Sequence, residues 1–301
     1  MGILAFLVSL LGSFVSGVVC SDLHSIVVRR CRLRSKKIKR PVRFVVLSDL
    51  HGRSFGRHNS RLIRRILQLK PDCVLMVGDI MTAKDFLRNI PASVDEACHL
   101  IGALSEHFPV YFSLGNHESR VKWLQEDFPV AYEGMLERFT AAGARVLDND
   151  DCLLEEYGVH LYGLTLGSSC FLSGRHERVP GKILRSFIGR ADKENFSLLL
   201  AHDPEYLPDY AKWGADLCLC GHFHGGIIRL PFIGGLVSPK RRLFPDFSAG
   251  LFTLGGKCQL VSCGLGTHTL PVRFFNPAEL LLVELEGAYN KEDQNGDTGE
   301  A

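Results

Sequence analysis

Five short motifs place side chains with metal-binding chemistry directly after apolar runs of the chain. They are Asp49-Leu50-His51, Gly78-Asp79, Gly115-Asn116-His117-Glu118, Ala201-His202-Asp203 and Gly221-His222-Phe223-His224. The preceding runs, such as residues 44–47 and 110–114, have the length and apolar character of buried strands. Because the carboxyl ends of strands in one sheet meet at a common edge, we expect the five motifs to converge.

The converging side chains would supply the oxygen and nitrogen ligands of a two-metal site. The candidate ligands are two aspartates, one asparagine and four histidines: Asp49, Asp79, Asn116, His51, His202, His222 and His224. This donor set suits Mn, Fe, Zn or Co, and the motifs contain no thiolate. Asp-x-His alone arises by chance and Gly-Asp is a common turn pair. Gly-His-Phe-His-Gly-Gly is more specific, because two histidines two residues apart in a glycine-rich loop have little structural purpose.

In this order the motifs resemble those of the calcineurin-like metallophosphoesterase superfamily, whose pattern is DxH, GD, GNH(D/E), H and GHxH. The resemblance extends from about Val42 to Leu285. Residues 221–226, 229–231, 261–266 and 271–279 are similar to a bacterial membrane-associated branch. Some members of that branch act on lipid-linked phosphoesters such as UDP-2,3-diacylglucosamine. The resemblance implies an α/β fold, a two-sheet sandwich flanked by helices.

The same resemblance implies a role for each candidate ligand. One metal would be held by Asp49, His51 and His224, the other by Asn116, His202 and His222, and Asp79 would bridge the two. The metals would clamp the phosphoryl oxygens of a phosphoester substrate and share an activated hydroxide.

His117 would then be the general acid that protonates the leaving oxygen. The alternative, a hydrogen-bond donor outside the first coordination shell, stays open. In many relatives an aspartate three residues after the bridging Asp orients this histidine, whereas Thr82 stands there in this chain. Asp85, Glu118 or a backbone carbonyl is therefore expected to take over, or His117 is less well poised.

The first 24 residues have the composition of a membrane anchor. Residues 3–20 carry no charge and would span about 27 Å as a helix, close to the hydrocarbon thickness of a bilayer. A signal peptide is the main alternative, although Lys and Arg are absent before the apolar run. A lipoprotein cysteine at Cys20 is a third, but Val18 and Val19 before it are not small. We expect an anchor at 1–24, a catalytic domain at 25–286 and a disordered acidic tail at 287–301.

A basic block follows the apolar run. Residues 29–43 contain nine Lys or Arg and no acid, so the rest of the chain carries a net charge of −7. The positive-inside rule places the domain on the cytoplasmic side, with the block against an anionic membrane surface. The block can also form an edge strand whose outer face is all arginine, and the two interpretations are compatible. Nucleic acid is a less favoured partner. Ten cysteines without a CxxC pair favour a reducing compartment.

Three functions are compatible with this pattern. The first is a membrane-associated hydrolase of a lipid-linked or nucleotide-sugar phosphoester. The second is a phosphodiesterase or nuclease with a soluble substrate. The third, a scaffold without activity, predicts lost ligands, and all seven are present. We expect residues 225–256 to form a long loop region, in which Lys240, Arg241 and Arg242 are either solvated or contact phosphate.

Overall fold

Two six-stranded sheets face each other at the centre of the fold. The computed structural model describes residues 2–87, 92–123, 131–171, 181–226, 228–230, 233–237, 243–267 and 271–288. The strands are β1 (Ile26–Ser35), β2 (Val42–Leu47), β3 (Cys73–Val77), β4 (Val110–Ser113), β5 (Ala144–Leu147), β6 (Asp150–Leu154), β7 (Val159–Leu164), β8 (Phe196–Ala201), β9 (Leu217–Cys220), β10 (Arg229–Leu230), β11 (Gly234–Gly235), β12 (Gly250–Leu254), β13 (Lys257–Val261) and β14 (Ala278–Gly287).

Eight α-helices occur among the described residues. They are α1 (Gly2–His24), α2 (Ser60–Leu69), α3 (Ala83–Leu87), α4 (Ala92–Ser105), α5 (Asn116–Trp123), α6 (Ala131–Ala141), α7 (Gly181–Ile188) and α8 (Leu207–Trp213). Helix α2 illustrates how the sequence sets their ends. Its apolar stripe of Leu62, Ile66 and Leu69 is buried, and the helix stops at Lys70, which adopts a left-handed conformation before Pro71.

The first sheet has the order β1-β14-β2-β3-β4-β5 and the second β12-β13-β9-β8-β7-β6. Within them, β2 to β5 are parallel neighbours, and so are β7, β8, β9 and β13. One apolar core lies between the sheets, and others lie between each sheet and its helices. The expected two-sheet α/β sandwich flanked by helices is therefore confirmed.

The expectation of one long loop over residues 225–256 is wrong in part. Within the described part of this region, β10 pairs with β11, and β12 forms an antiparallel hairpin with β13. The hairpin turn is Gly255-Gly256, with φ of 57° and 77°. A Gly-Gly pair between short strands is a known hairpin signal, so the sequence carried this information. Residues 238–242, including Lys240, Arg241 and Arg242, lie outside the described residues, as do residues 289–301 of the expected tail.

Helix α1 is an apolar helix whose first sixteen residues are exposed. By length and composition it is able to cross a membrane, with a mean hydropathy of 2.4 over its most apolar window. It ends at His24, and β1 begins two residues later at Ile26. No separate linker therefore divides the helix from the two-sheet domain.

Strand β1 is the edge strand of the first sheet, which agrees with the edge-strand interpretation of the basic block. It runs parallel to β14, whose glutamates Glu279, Glu284 and Glu286 pair with Arg29, Arg30, Arg32, Arg34 and Arg43. Lys37 and Arg40 pair with Asp216 and Glu156. Seven of the nine basic side chains thus have a carboxylate partner, but they share five carboxylates, so the block keeps an excess of positive charge.

Candidate metal centre

The five sequence motifs meet where the carboxyl ends of the two sheets come together. Asp49, Asp79 and Asn116 follow the parallel neighbours β2, β3 and β4 of the first sheet. His202 follows β8, and the His222-Phe223-His224 segment follows β9 of the second sheet. The two carboxylates, His202, His222 and His224 are buried, and His51 and Asn116 are partly exposed.

Five of the seven predicted ligands adopt left-handed backbone conformations. Their φ values lie between 51° and 68°, at Asp49, His51, Asp79, His222 and His224. A side chain other than glycine in this region costs about 1–3 kcal/mol, and such positions cluster at functional sites. The surrounding sheets therefore hold the ligand loops in conformations that the residues do not prefer.

Two motif glycines leave space for the carboxylates. A Cβ atom at Gly115 would collide with Asp79 Oδ1, and one at Gly221 would collide with Asp49 Oδ2. Any larger residue at these positions would displace a candidate ligand. The glycines of the Gly-Asn-His and Gly-His-x-His motifs are thus explained by close approach rather than by turn formation alone.

The predicted ligands form overlapping clusters of ligand atoms, each within 4.8 Å of the others. Asp49, His51 and His224 make one cluster, and Asp79, His202 and His222 make the second. A third joins Asp79 and His51 to His117. Asp79 therefore belongs to the second cluster and also lies beside His51 of the first, with Asp79 Oδ2 3.8 Å from His51 Nε2.

Imidazole nitrogens point at one another and at carboxylates across these clusters. The Nε2 atoms of His51 and His224 are 3.0 Å apart, and His224 Nε2 is 3.3 Å from Asp49 Oδ1. His202 Nε2 is 3.1 Å from Asp79 Oδ2 and 3.6 Å from Asp49 Oδ1. The donor atoms thus converge on a small polar volume between the two sheets.

Backbone groups fix the orientation of the ligand side chains. His202 donates its Nδ1–H to Val77 O at 2.8 Å, which leaves Nε2 directed at the carboxylates. Asp49 accepts the backbone N–H of His222 at 2.9 Å, and Asp79 accepts that of His117 at 2.8 Å. Hydrogen bonds of this kind orient metal-binding histidines and carboxylates in proteins.

Electrostatics among the buried groups shift their pKa values strongly. Burial opposes the charge on His202, but Asp79 and Asp49 outweigh it and raise its pKa to about 10. Burial likewise opposes the charge on Asp79, yet His202 and His117 hold the pKa of this carboxyl well below its usual range. Burial, with the nearby Asp79 charge, raises the pKa of Asp49 to about 6 despite opposition from His202.

The donor set fits divalent cations. The Oδ1 atom of Asn116 is buried and has no hydrogen-bond partner among the described residues. Burying a polar oxygen without a partner costs about 1–3 kcal/mol, unless a ligand satisfies it. Together with two buried carboxylates and converging imidazoles, this oxygen matches the mixed O and N coordination of Mn, Fe, Zn or Co.

His117 lies beside the ligands, but its orientation has a different cause from those expected. Its Nδ1 accepts the backbone N–H of Ala83 at 3.0 Å, rather than being held by Asp85, Glu118 or a carbonyl. Its ring is 4.7 Å from that of His51, between ring centroids. Burial lowers the pKa of His117, and the N–H at Nδ1 also favours the neutral ring with its proton on Nε2.

Glu118 has a structural role that the sequence analysis did not identify. Its two carboxylate oxygens accept the backbone N–H groups of Asp79, Ile80, Met81 and Gly115 at 2.8–3.2 Å. It is fully buried, and burial, then the charge of Asp79, raises its pKa to about 7. This one side chain holds the loop after β3 against the loop after β4.

Two buried residues of the 271–279 segment support the ligand loops, although sequence reasoning gave them no role. Arg273 donates to five backbone carbonyls, including those of Cys263 and Gly264. Asn276 donates its side-chain N–H to His224 O at 2.5 Å. The backbone N–H of Asn276 is in turn bound by Asp22 of α1 at 2.7 Å. The only sequence signal was the similarity of this segment to one branch of the superfamily.

In one class of metal-dependent phosphoester hydrolases, parallel strands of two facing sheets end in aspartate, asparagine and histidine ligands. The present fold and site have this arrangement. The family model for calcineurin-like phosphoesterases matches residues 42–226, which is more than half of the chain. The chain therefore belongs to the calcineurin-like phosphoesterase family and is a phosphoester hydrolase.

Three curated relatives are similar over most of the chain. The metallophosphoesterase YkuE of Bacillus subtilis is 26% identical over 75% of this chain and 71% of its own length. The phosphodiesterase YaeI of Escherichia coli is 28% identical over 75% of this chain and 76% of its own. A transmembrane protein with a metallophosphoesterase domain from Danio rerio is 25% identical over 82% of this chain, which spans 54% of that protein.

Proposed function

We propose that this protein is a membrane-associated, two-metal phosphodiesterase that hydrolyses a lipid-linked or nucleotide-sugar phosphoester on the cytoplasmic side of the membrane. The observation that carries the two-metal part is the position of Asp79 between the two ligand clusters, 3.8 Å from His51 Nε2 and 3.1 Å from His202 Nε2. A carboxylate between two ligand sets can offer an oxygen to each of two cations. The name of the relative YaeI supports diester chemistry.

We assign the ligands as two sets that share Asp79. The first cation would be held by Asp49, His51 and His224, and the second by Asn116, His202 and His222. When bound, the two cations would neutralise phosphoryl charge and activate water as the nucleophile. The neighbouring backbone N–H groups and Val77 O keep the side chains aimed at these positions.

His117 is the proposed general acid for the leaving oxygen. The N–H of Ala83 occupies Nδ1, so the transferable proton resides on Nε2. Among the described residues, no carboxylate forms a hydrogen bond with the His117 ring. Such a bond would stabilise the imidazolium form. The donor is therefore a neutral imidazole whose Nε2–H hydrogen bond strengthens as negative charge develops on the leaving oxygen.

Membrane association is supported by α1 and by the Danio rerio relative, whose name describes a transmembrane protein. The cytoplasmic orientation rests on the nine basic residues after α1. The positive-inside rule counts Lys and Arg near the end of a span and depends little on acidic residues. The ion pairs between β1 and β14 therefore do not weaken the orientation argument, although they do weaken attraction of the block to anionic lipid.

The alternative is a phosphodiesterase or nuclease with a soluble substrate, for which α1 is only an anchor. Purified full-length protein in mixed micelles would be analysed for bound metals and assayed on matched diesters with and without an acyl chain. We expect two equivalents of divalent metal and a higher kcat/KM for the nucleotide-sugar lipid than for its deacylated form. Equal values for the two would support the soluble alternative, and protein unable to bind two metals would overturn the proposal.

A further inference from the structure

Exposed apolar side chains concentrate at one place on the two-sheet domain. Outside α1, eight of the twelve large hydrophobic side chains that are exposed among the described residues lie within residues 228–275. Six of them, which we call the apolar collar, are Ile228, Ile233, Leu243, Phe244, Val272 and Phe275. Their exposed fractions range from 36% to 71%. Contiguous exposed apolar surface on a protein marks contact with another protein or a membrane.

Backbone hydrogen bonds join the three segments that carry the collar. Leu236 N–H donates to Ile228 O at 2.8 Å, and Phe244 N–H donates to Leu236 O at 2.9 Å. Arg229 N–H donates to Phe274 O at 3.4 Å, which brings the segment of Val272 and Phe275 to the same place. The segments that carry the six side chains thus lie next to one another, although they are scattered over 48 positions of sequence.

The collar is continuous with the membrane helix. The ring of Phe275 lies beside that of Phe14 on α1, with centroids 6.4 Å apart. A shallow groove between the helix and Phe275 is lined by Ser13, Phe14, Gly17, Val18, Ser21 and Asp22. Asp22 fixes this arrangement by accepting the backbone N–H of Asn276. The domain is therefore attached along the side of the helix and not only at its end.

The position of the Phe14–Phe275 contact along α1 indicates what covers the collar. The apolar run ends at Cys20, and Phe14 precedes Cys20 by six residues, which corresponds to about 9 Å along a helix. With Cys20 at the surface of the hydrocarbon layer, Phe275 lies inside that layer, at the depth of Phe14. Amphipathic segments that lie in a bilayer surface bury their apolar side by about 5–10 Å, which is the same depth.

We propose that the apolar collar inserts into the interfacial region of the bilayer that α1 spans, and that it, rather than the basic block, is the membrane-contact surface of the domain. The proposal rests on α1 being a membrane anchor, as proposed above. The basic side chains of β1 are largely paired with β14, whereas nothing in the described part of the chain covers the collar. Contact at this face would hold the ligand loops next to the bilayer, because Asn276 joins Phe275 to His224.

The test uses single tryptophan substitutions in the full-length protein reconstituted in phosphatidylcholine–phosphatidylglycerol vesicles with or without brominated acyl chains. Phe244→Trp and Leu243→Trp probe the collar. Phe6→Trp probes α1, and Leu153→Trp is a control of comparable exposure to Phe275, on the distant edge strand β6. Fluorescence of the two native tryptophans, measured on the unmodified protein, is subtracted.

We expect the added fluorescence of Phe6→Trp and of both collar variants to fall by about twofold or more in brominated lipid, as for side chains within reach of acyl chains. Leu153→Trp should be unaffected. Quenching at Phe6→Trp with collar variants that behave like Leu153→Trp would overturn the collar and leave the anchor. Collar variants that are not quenched but show blue-shifted emission in both lipids would also overturn the collar proposal. That result would indicate that the collar is buried against a second copy of the protein. Absence of quenching at Phe6→Trp would overturn the anchor as well.

Discussion

Charged side chains cluster both at the candidate metal centre and at the β1–β14 edge. The two regions differ in the partners that these charged groups have. At the edge, the exposed arginines Arg30, Arg32 and Arg34 of β1 pair with Glu284 and Glu286 of β14, so opposite charges lie side by side. At the metal centre, buried Asp49 and Asp79 lie near each other, with imidazoles directed at both.

This difference separates a structural from a functional cluster of charge. An exposed ion pair contributes about 0–1 kcal/mol, and its members need no further partner. Two buried carboxylates repel each other, and burial raises the pKa of Asp49 to about 6. Such an arrangement is costly unless cations bind between the groups. The density of charge in the sequence is higher at the edge, yet the candidate metal ligands lie at the centre.

The largest effect is expected from removing the shared carboxylate. Asp79→Ala should reduce metal content below two equivalents and lower kcat/KM by more than the about 10–100-fold typical of residues that only support ligands. Metal analysis and hydrolysis of an aryl phosphodiester would measure both quantities. Glu284→Ala, which removes a carboxylate from the edge, is the matched control and should retain both metals. Turnover by Asp79→Ala at the normal rate would contradict the bridging role.

The next effect concerns proton donation by His117. His117→Ala should keep both metals and lower turnover of substrates with poor leaving groups by about 10²–10⁴-fold. Substrates with good leaving groups, such as nitrophenyl diesters, need less protonation and should be affected much less. The slope of log kcat against leaving-group pKa is the measurement. An equal loss across the series would assign His117 to substrate binding or support of His51 instead.

A smaller effect is expected where a buried carboxylate binds only backbone. Glu118→Gln replaces one acceptor oxygen by an amide that cannot accept the N–H groups of Asp79 or Ile80. Leaving such groups unpaired should cost about 1–3 kcal/mol of unfolding free energy. Metal affinity should weaken by about 10–100-fold, because the loop of Asp79 loses its support. Urea unfolding and metal titration measure these changes, and a variant with unchanged metal affinity would show that Asp79 is positioned without Glu118.

The coupling of α1 to the metal centre is expected to be weaker still. Asp22→Ala leaves the backbone N–H of Asn276 without its acceptor and should lower metal affinity by no more than about tenfold. Asp22→Asn keeps a side-chain oxygen at this position and should restore most of the loss. If both variants bind metal like the unmodified protein, the helix anchors the domain without influencing His224.

The smallest effect is expected at the edge. Glu284→Gln weakens pairs with Arg30, Arg32 and Arg43, whose side chains are 39–60% exposed. The free energy of unfolding should fall by about 1 kcal/mol or less, and the difference should shrink in 1 M salt, where the screening length is about 3 Å. Activity should be unchanged. A loss of activity comparable to that of Glu118→Gln would remove the distinction between the two regions.

Sequence reasoning identified the candidate ligands but not what supports them. Asp49, Asp79, Asn116 and the histidines stand in short motifs after recognisable strands, so their chemistry is visible in the linear chain. Glu118 and Asn276 act through backbone groups far from them in sequence, and no local pattern indicates such contacts. The sequence offered Asp85, Glu118 or a backbone carbonyl for orienting His117, whereas Nδ1 accepts the N–H of Ala83. A backbone N–H is present in every residue except proline, so no residue type in the sequence indicates this contact.

The amino-acid sequence by itself determined the strand runs, the ligand types at their ends, the apolar helix and the family, because each is encoded by neighbouring residues. Only the tertiary structure decided which charges are paired and which apolar side chains stay exposed. Strand β1 meets its glutamates on β14 some 250 residues later, and the apolar collar gathers side chains from three separate segments. Pairing and burial depend on partners distant in the chain, and the packing of the two sheets selects those partners.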